Sequence, residues 1–238
     1  MLILAIDSAT PVAGVALLDG NKLLKEEFSN YKKTHSQTLM PMIDRVLREC
    51  ECSLDDLAAV AISAGPGSFT GLRIGMATAK GLCLASGKPL VTVATLDALA
   101  YNVHRSQDLV CPLLDARKQE VYTCFYDVSA ALPRRLVEMS ACSPAEFVEQ
   151  ALHLAHKYGR GKILLLGDAY YPYEEYFQKA LGEKLLVAAP HLMYPRAASI
   201  ASLAMLKLEA GELENLFSLR PHYIRLSEAE YRLGKAAQ

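Results

Sequence analysis

A glycine-rich break between a buried strand and an apolar helix constrains this 238-residue chain more than any other stretch. Residues 57–64 form an apolar run that is typical of a buried strand. Gly65-Pro66-Gly67 then ends the strand, because glycine adopts backbone angles that other residues avoid and proline lacks an N–H donor. Ser68 or Thr70 is suited to cap the next element, since a side-chain oxygen there accepts a free N–H of the first helical turn. The pattern predicts a helix from Thr70 to about Ser86.

The start of this helix is also a candidate anion site. Free N–H groups and the helix dipole both favour a negative charge where a glycine loop enters a helix. The candidate phosphate-binding residues are Asp7, Ser8, Thr10, Gly65, Gly67 and Ser68. A tight turn without a ligand explains the same pattern, because short glycine motifs also occur by chance.

The helix itself is apolar almost all the way round. Arg73 and Lys80 are its only charged residues, while Gly71, Gly75 and Ala79 recur at every fourth position and leave a smooth groove for close backbone approach. A helix of this kind must be covered on more than one side. One side is expected to lie on its own sheet and the other on another domain or another chain.

The preceding helix, from His35 or Ser36 to about Cys50, also carries more apolar surface than one stripe requires. Its extra methionines suit either a loosely packed core or an interface, and the two helices together favour a pairing surface. The predicted interface residues are Leu39, Met40, Ile43, Leu47, Gly71, Leu72, Gly75, Met76, Ala79 and Leu82. Gly75→Arg, or Ile43→Glu with Leu47→Glu, is therefore expected to break pairing without unfolding the chain.

The order of predicted elements indicates an α/β protein with a two-lobed actin-like (ASKHA, ribonuclease H-like) fold. Three antiparallel strands are followed by alternating helices and parallel strands, which is half of that architecture. A polar break near residues 105–108 places a boundary between a first lobe, 1–105, and a smaller second lobe, 106–238. The last predicted helix, about 196–210, is a candidate to pack back on the first lobe.

Composition excludes several classes of protein. The formal net charge is −1, which argues against strong autonomous binding to nucleic acid. The N-terminus lacks the basic region and cleavage site of a signal peptide, and no apolar run is long enough to span a membrane. A cytoplasmic location is the expectation.

Several motifs together resemble the bacterial TsaB (YeaZ) family. The most specific is the run from Gly65 to Gly75, Gly-Pro-Gly-Ser-Phe-Thr-Gly-Leu-Arg-Ile-Gly. Supporting matches are Asp7-Ser8-Ala9-Thr10, His35-Ser36, Gly87-Lys88-Pro89, Asp115-Ala116-Arg117 and Pro221-His222-Tyr223-Ile224-Arg225. The resemblance extends over essentially the whole chain.

This resemblance implies a role in forming N6-threonylcarbamoyladenosine (t6A) at position 37 of tRNAs that read codons beginning with A. In that system a catalytic paralogue, TsaD, transfers the threonylcarbamoyl group, and an ATPase, TsaE, completes the complex. The resemblance implies a non-catalytic subunit that pairs with TsaD through the two apolar helices. It also implies a homodimer when the chain is alone and contact with tRNA only through the complex.

Two other functions are compatible with the superfamily. One is an autonomous metal-dependent peptidase or hydrolase, and the other is an actin-like ATP-dependent kinase. Metal-binding relatives carry a His-x-x-x-His pair where this chain has Thr95 and Leu99, so no metal site and no catalytic residue are assigned. The second lobe lacks a good glycine loop for an adenosine. We therefore expect no required cofactor, and at most weak nucleotide binding.

Overall fold

The computed structural model describes residues 1–31 and 34–225. The first sheet has the order β3-β2-β1-β4-β5, in which β1, β2 and β3 are antiparallel while β4 and β5 run parallel to β1. Its strands are β1 (Leu2–Asp7), β2 (Ala13–Asp19), β3 (Lys22–Ser29), β4 (Ala59–Ser63) and β5 (Leu90–Val93). The associated helices are α1 (His35–Glu49), α2 (Phe69–Ser86) and α3 (Thr95–Tyr101).

The second sheet has the order β10-β7-β6-β11-β12, and β8 and β9 extend it from β6. Its strands are β6 (Leu109–Asp115), β7 (Val121–Thr123), β8 (Tyr126–Asp127), β9 (Arg134–Arg135), β10 (Ser140–Cys142), β11 (Ile163–Leu166) and β12 (Leu185–Val187). The remaining helices are α4 (Pro144–Lys157), α5 (Glu174–Leu181) and α6 (Ala197–Glu209).

Strand β1 is buried on both faces and divides the core of the first lobe. Leu4 and Ile6 pack with α1 and α2, whereas Ile3 and Ala5 pack with α6 on the opposite face. Successive side chains of a strand point to opposite faces, so a strand between two helical layers is apolar throughout. Helix α6 thus returns to the first lobe after the chain has built the second sheet.

The core of the second lobe is centred on aromatic rings. Phe147 of α4 stacks on Phe125 at 5.4 Å between ring centroids and meets Phe177 of α5 edge-on at 5.5 Å. Tyr170 is also buried and stacks on Phe177 at 6.4 Å between ring centroids. None of the helices within residues 1–31 and 34–225 is both long and apolar enough to cross a membrane.

Several strands of the second sheet are short. Strands β7 and β8 are separated by Cys124 and Phe125, and β9 has only two residues. Residues 226–238 of the predicted second lobe lie outside the described part of the chain.

Candidate functional site

The start of α2 is tied to the turn that follows β1. The Ser68 hydroxyl accepts a hydrogen bond from the Gly71 N–H at 3.3 Å, which caps the helix. The Ser68 N–H donates to the Ala9 carbonyl at 2.6 Å, and the Ser8 hydroxyl donates to the Gly71 carbonyl at 2.9 Å. The first turn of the helix therefore bonds to the chain's own backbone.

Three glycines make this close approach sterically feasible. A Cβ atom on Gly71 would lie well inside 3.0 Å of the Ser8 carbonyl oxygen, and one on Gly75 would lie as close to the Ser8 hydroxyl. Gly65 has φ +111°, and a Cβ there would clash with the carbonyl oxygen of His222. The glycine motif thus serves packing inside this chain.

The six candidate phosphate-binding residues differ in their access to solvent. Asp7, Ser8 and Gly65 are buried within the fold. Thr10, Gly67 and Ser68 line a cleft between the lobes, although Thr10 is itself only 2% exposed. A phosphate site shared by all six stays a prediction.

Asp7 is a fully buried carboxylate at the end of β1. Its Oδ1 accepts hydrogen bonds from the Ser63 hydroxyl at 2.5 Å and from the Ala9 N–H at 3.2 Å. Its Oδ2 has no partner within residues 1–31 and 34–225. Burial raises the pKa of Asp7 to about 6, although these two hydrogen bonds and the charge of His35 act in the opposite direction.

This raised pKa predicts a pH-dependent contribution to stability. The folded state keeps the Asp7 proton up to about pH 6, whereas the unfolded chain releases it near pH 3.8. The free energy of unfolding therefore decreases as pH rises from about 3.8 to 6. The decrease due to Asp7 is about 3 kcal/mol. In urea unfolding at a series of pH values, Asp7→Asn should gain stability relative to the wild type between pH 4 and 6. A stability difference that is constant with pH would contradict this account.

The cleft between the lobes has a volume of about 460 Å³ and an acidic wall. The Asp115 N–H donates to Asp168 Oδ1 at 3.1 Å. Burial, followed by the nearby charge of Asp115, raises the pKa of Asp168. Arg117 borders the cleft in a left-handed conformation, with φ 62°. Such a cleft can hold a small polar molecule, but its first-lobe wall offers only hydroxyl and backbone groups.

The described residues do not include a cluster of side chains suited to a metal ion. Over residues 1–31 and 34–225 no group of three His, Cys, Asp or Glu side chains is arranged to hold a metal. Thr95 and Leu99, at the positions of the histidine pair, are both buried. His35 uses Nε2 to contact the Val12 carbonyl at 3.1 Å, a structural role.

The structure places most of the predicted interface residues inside the first lobe. All of them except Met40 are buried within the chain itself. Leu39, Ile43 and Leu47 pack against the first sheet. Gly75→Arg would therefore collide with Ser8 and unfold the chain instead of merely breaking a pair, and charges at Ile43 and Leu47 would do the same.

A different face of α2 is open to solvent. We call it the exposed α2 stripe, and it consists of Gly81, Leu84 and Ala85, with Ala77 at its edge. Leu84 is 61% exposed, and a Cβ added to Gly81 would meet nothing within 4 Å. Met40 of α1 is also half exposed. The stripe is composed of small and apolar residues, as is typical of a surface where another helix can approach closely.

The C-terminal segment crosses α2 and reaches the second lobe. We call residues 214–225 the strap. The His222 N–H donates to the Ala64 carbonyl at 2.7 Å, and Lys80 donates to the Leu219 carbonyl at 2.7 Å. Farther on, Arg225 pairs with Glu120 at 2.7 Å. The strap therefore connects the glycine loop of the first lobe to the cleft wall of the second.

Comparison with known proteins identifies the family. A family model described as TsaD, tRNA N6-adenosine threonylcarbamoyltransferase, matches residues 22–233. The Bacillus subtilis protein named tRNA threonylcarbamoyladenosine biosynthesis protein TsaB is 32% identical over 230 residues, covering 97% of this chain and 96% of that protein. The chain belongs to the TsaB (YeaZ) family.

Further relatives of the TsaB family agree with this assignment. The Haemophilus influenzae protein of the same name is 26% identical and covers 94% of each chain. A solved Pseudomonas aeruginosa structure, described as an uncharacterized protein with similarity to the peptidase YeaZ, superposes with a TM-score of 0.78 at 27% identity over 94% of this chain and 99% of its own. The Clostridium difficile activator of 2-hydroxyisocaproyl-CoA dehydratase, at TM-score 0.51 and 9% identity over 90% of this chain and 99% of its own, shares the fold alone. The predicted two-lobed actin-like fold is confirmed.

Two parts of this TsaB-family chain were missed by sequence reasoning. The exposed α2 stripe carries Gly81, which lies outside the four-residue repeat that was used to place the interface. The strap has no regular hydrophobic period, and only the Pro221-to-Arg225 motif marked it. A glycine inside a helix with no packing role in its own chain was the available signal for the first.

Proposed function

We propose that this chain is a non-catalytic subunit in t6A biosynthesis and that it pairs with a TsaD-like catalytic paralogue. The observation that carries the proposal is Gly81, an exposed glycine in the interior of α2 with open space around it. Such a glycine costs the helix about 1 kcal/mol relative to alanine. Close approach of a partner helix is a physical reason to keep it, because a side chain there would hold the two backbones apart.

The surroundings of Gly81 suit a helix–helix contact. Ala77 and Leu84 lie on either side of it along α2, and both are exposed. In the proposed assembly the stripe packs on the paralogue, a TsaE-like ATPase joins the pair, and tRNA is bound by the whole complex. The chain alone pairs with a second copy through the same stripe. The proposed location is the cytoplasm.

The proposal requires no cofactor in this chain. A nucleotide in the cleft would meet Thr10, Gly67 and Ser68 but not Asp7, which is fully buried and does not line the cleft. Weak binding is the expectation, because the Ser68 N–H and the Ser68 hydroxyl already bond within the chain.

Reconstitution tests the proposal. The chain is mixed with a TsaD-like enzyme, a TsaE-like ATPase, a source of threonylcarbamoyl-adenylate and an unmodified tRNA transcript, and t6A is measured by mass spectrometry of the nucleosides. We expect product only when both the chain and the paralogue are present. Peptide or ATP hydrolysis by the chain alone, abolished by a chelator or by loss of the nucleotide site, would instead support the hydrolase or kinase alternative.

A further inference from the structure

A shallow depression lies between α2 and the strap, separate from the cleft. Its volume is about 320 Å³. Its floor is apolar and is formed by Met76, Leu219 and Pro221, together with Ala77 at the edge of the exposed α2 stripe. The hydroxyl-bearing ring of Tyr223 forms part of its wall. The depression is large enough for one flat, partly apolar group.

Three cations surround this floor, and no carboxylate of the described residues pairs with them. Arg73, Lys80 and Arg220 all line the depression, and we call them the basic rim. None of the three forms an ion pair with any residue of 1–31 or 34–225. By contrast, Arg117 and Arg225 are paired with Asp115 and Glu120. The basic rim is therefore a local positive patch on a chain whose formal net charge is −1.

Arg73 is held in position before any ligand arrives. Its guanidinium carbon lies 3.8 Å from the centroid of the Phe69 ring, and its Nε donates to the Tyr223 hydroxyl at 3.1 Å. The structure gives its two terminal nitrogens no hydrogen-bond partner among the described residues. A planar, pre-ordered guanidinium with free terminal donors suits the two oxygens of a phosphate and loses little entropy on binding it.

We propose that the basic rim binds the phosphate backbone of an RNA chain and that the apolar floor receives the adjoining sugar or base. This inference rests on the proposed function, which supplies tRNA as the substrate of the assembly. Cations beside an aromatic ring and an apolar floor are the combination used for single-stranded or unstacked nucleotides. The tRNA is then contacted directly by this subunit and not only through its catalytic partner.

The test uses Arg220→Glu, because Arg220 is exposed and has no contact that the fold needs. Affinity of the paired complex for an unmodified tRNA transcript is measured over a series of salt concentrations. We expect about a tenfold loss at low salt and a salt dependence shallower by about one released counterion. Lys179→Glu, at an exposed site on the second lobe, is the matched control and should bind as the wild type does.

Separate measurements distinguish the alternatives. Circular dichroism and size-exclusion chromatography report the fold and the pairing of each variant. If the Arg220→Glu chain pairs normally and binds tRNA with unchanged affinity, the inference is overturned. It is also overturned if this variant loses pairing while tRNA binding is unchanged. That second result would mean that the basic rim binds an acidic protein segment. ATP and inorganic phosphate are titrated in parallel, and binding of these at the rim without tRNA binding also overturns it. If even the wild-type chain fails to pair, the proposed function fails. Comparing tRNA binding by the unpaired wild-type and Arg220→Glu chains then still tests whether the basic rim binds RNA.

Discussion

A chain carrying Gly81→Arg is expected to fold normally and to lose its pairing with a TsaD-like enzyme. A Cβ at this position meets nothing within 4 Å, so the chain has room for the side chain, and arginine favours the helix more than glycine does. The same side chain would stand between α2 and any helix that packs on it. We expect the dissociation constant to rise at least about 100-fold, which corresponds to about 3 kcal/mol.

Titration calorimetry with the purified paralogue measures this loss, and the t6A assay reports its consequence. Gly161→Arg is a matched control, because a Cβ there also meets nothing within 4 Å and the residue lies on the second lobe. It should pair normally. Normal pairing of the Gly81→Arg chain would remove the exposed α2 stripe from consideration as the interface, whatever the outcome of reconstitution.

Gly71→Ala is expected to destabilise the folded chain by about 2–3 kcal/mol. The new methyl group would lie well inside 3.0 Å of the Ser8 carbonyl oxygen, which is backbone and cannot turn away. The clash is relieved only if the turn at residues 8–10 moves. That movement would disturb the hydrogen bond that the Ala9 carbonyl accepts from the Ser68 N–H. The free energy of unfolding in urea is the measurement.

The same substitution elsewhere in the same helix provides the control. Gly81→Ala adds a methyl group to open space, so it should stabilise the chain by about 0.5–1 kcal/mol through helix propensity alone. The two alanine variants are thus expected to differ in sign. Equal effects would mean that the packing of Gly71 against Ser8 does not limit stability.

The hydrophobic pattern of α1 and α2 predicted the helices correctly but not their outward faces. Leu39, Ile43 and Leu47 recur at helical spacing because they cover the first sheet, and a periodic stripe has the same appearance whether its own chain or another covers it. Helix α2 does expose apolar surface, but on the face that points away from the first sheet, at residues such as Ala77 and Leu84.

The glycine spacing was informative in the same limited way. Close backbone approach at Gly71 and Gly75 was predicted, and the structure has it, but the approaching segment is residue 8 of the same chain. A contact between positions 63 residues apart, such as Ser8 with Gly71, leaves no local pattern in the sequence. Local turn chemistry, by contrast, can be read from the sequence: Ser143 caps α4, Pro144 is its first residue, and Glu146 completes the capping box.

The return of α6 to the first sheet has a consequence for how this molecule can be divided. Ile200 and Ala204 cover the side of β1 that α1 and α2 leave open, yet they lie beyond the whole second lobe in the chain. The amino-terminal half is therefore an incomplete folding unit, and a fragment ending near residue 105 would present a bare apolar sheet to water. In topological terms the second lobe is an insert within the first, so it must be synthesised before the α6 layer of the first lobe can form.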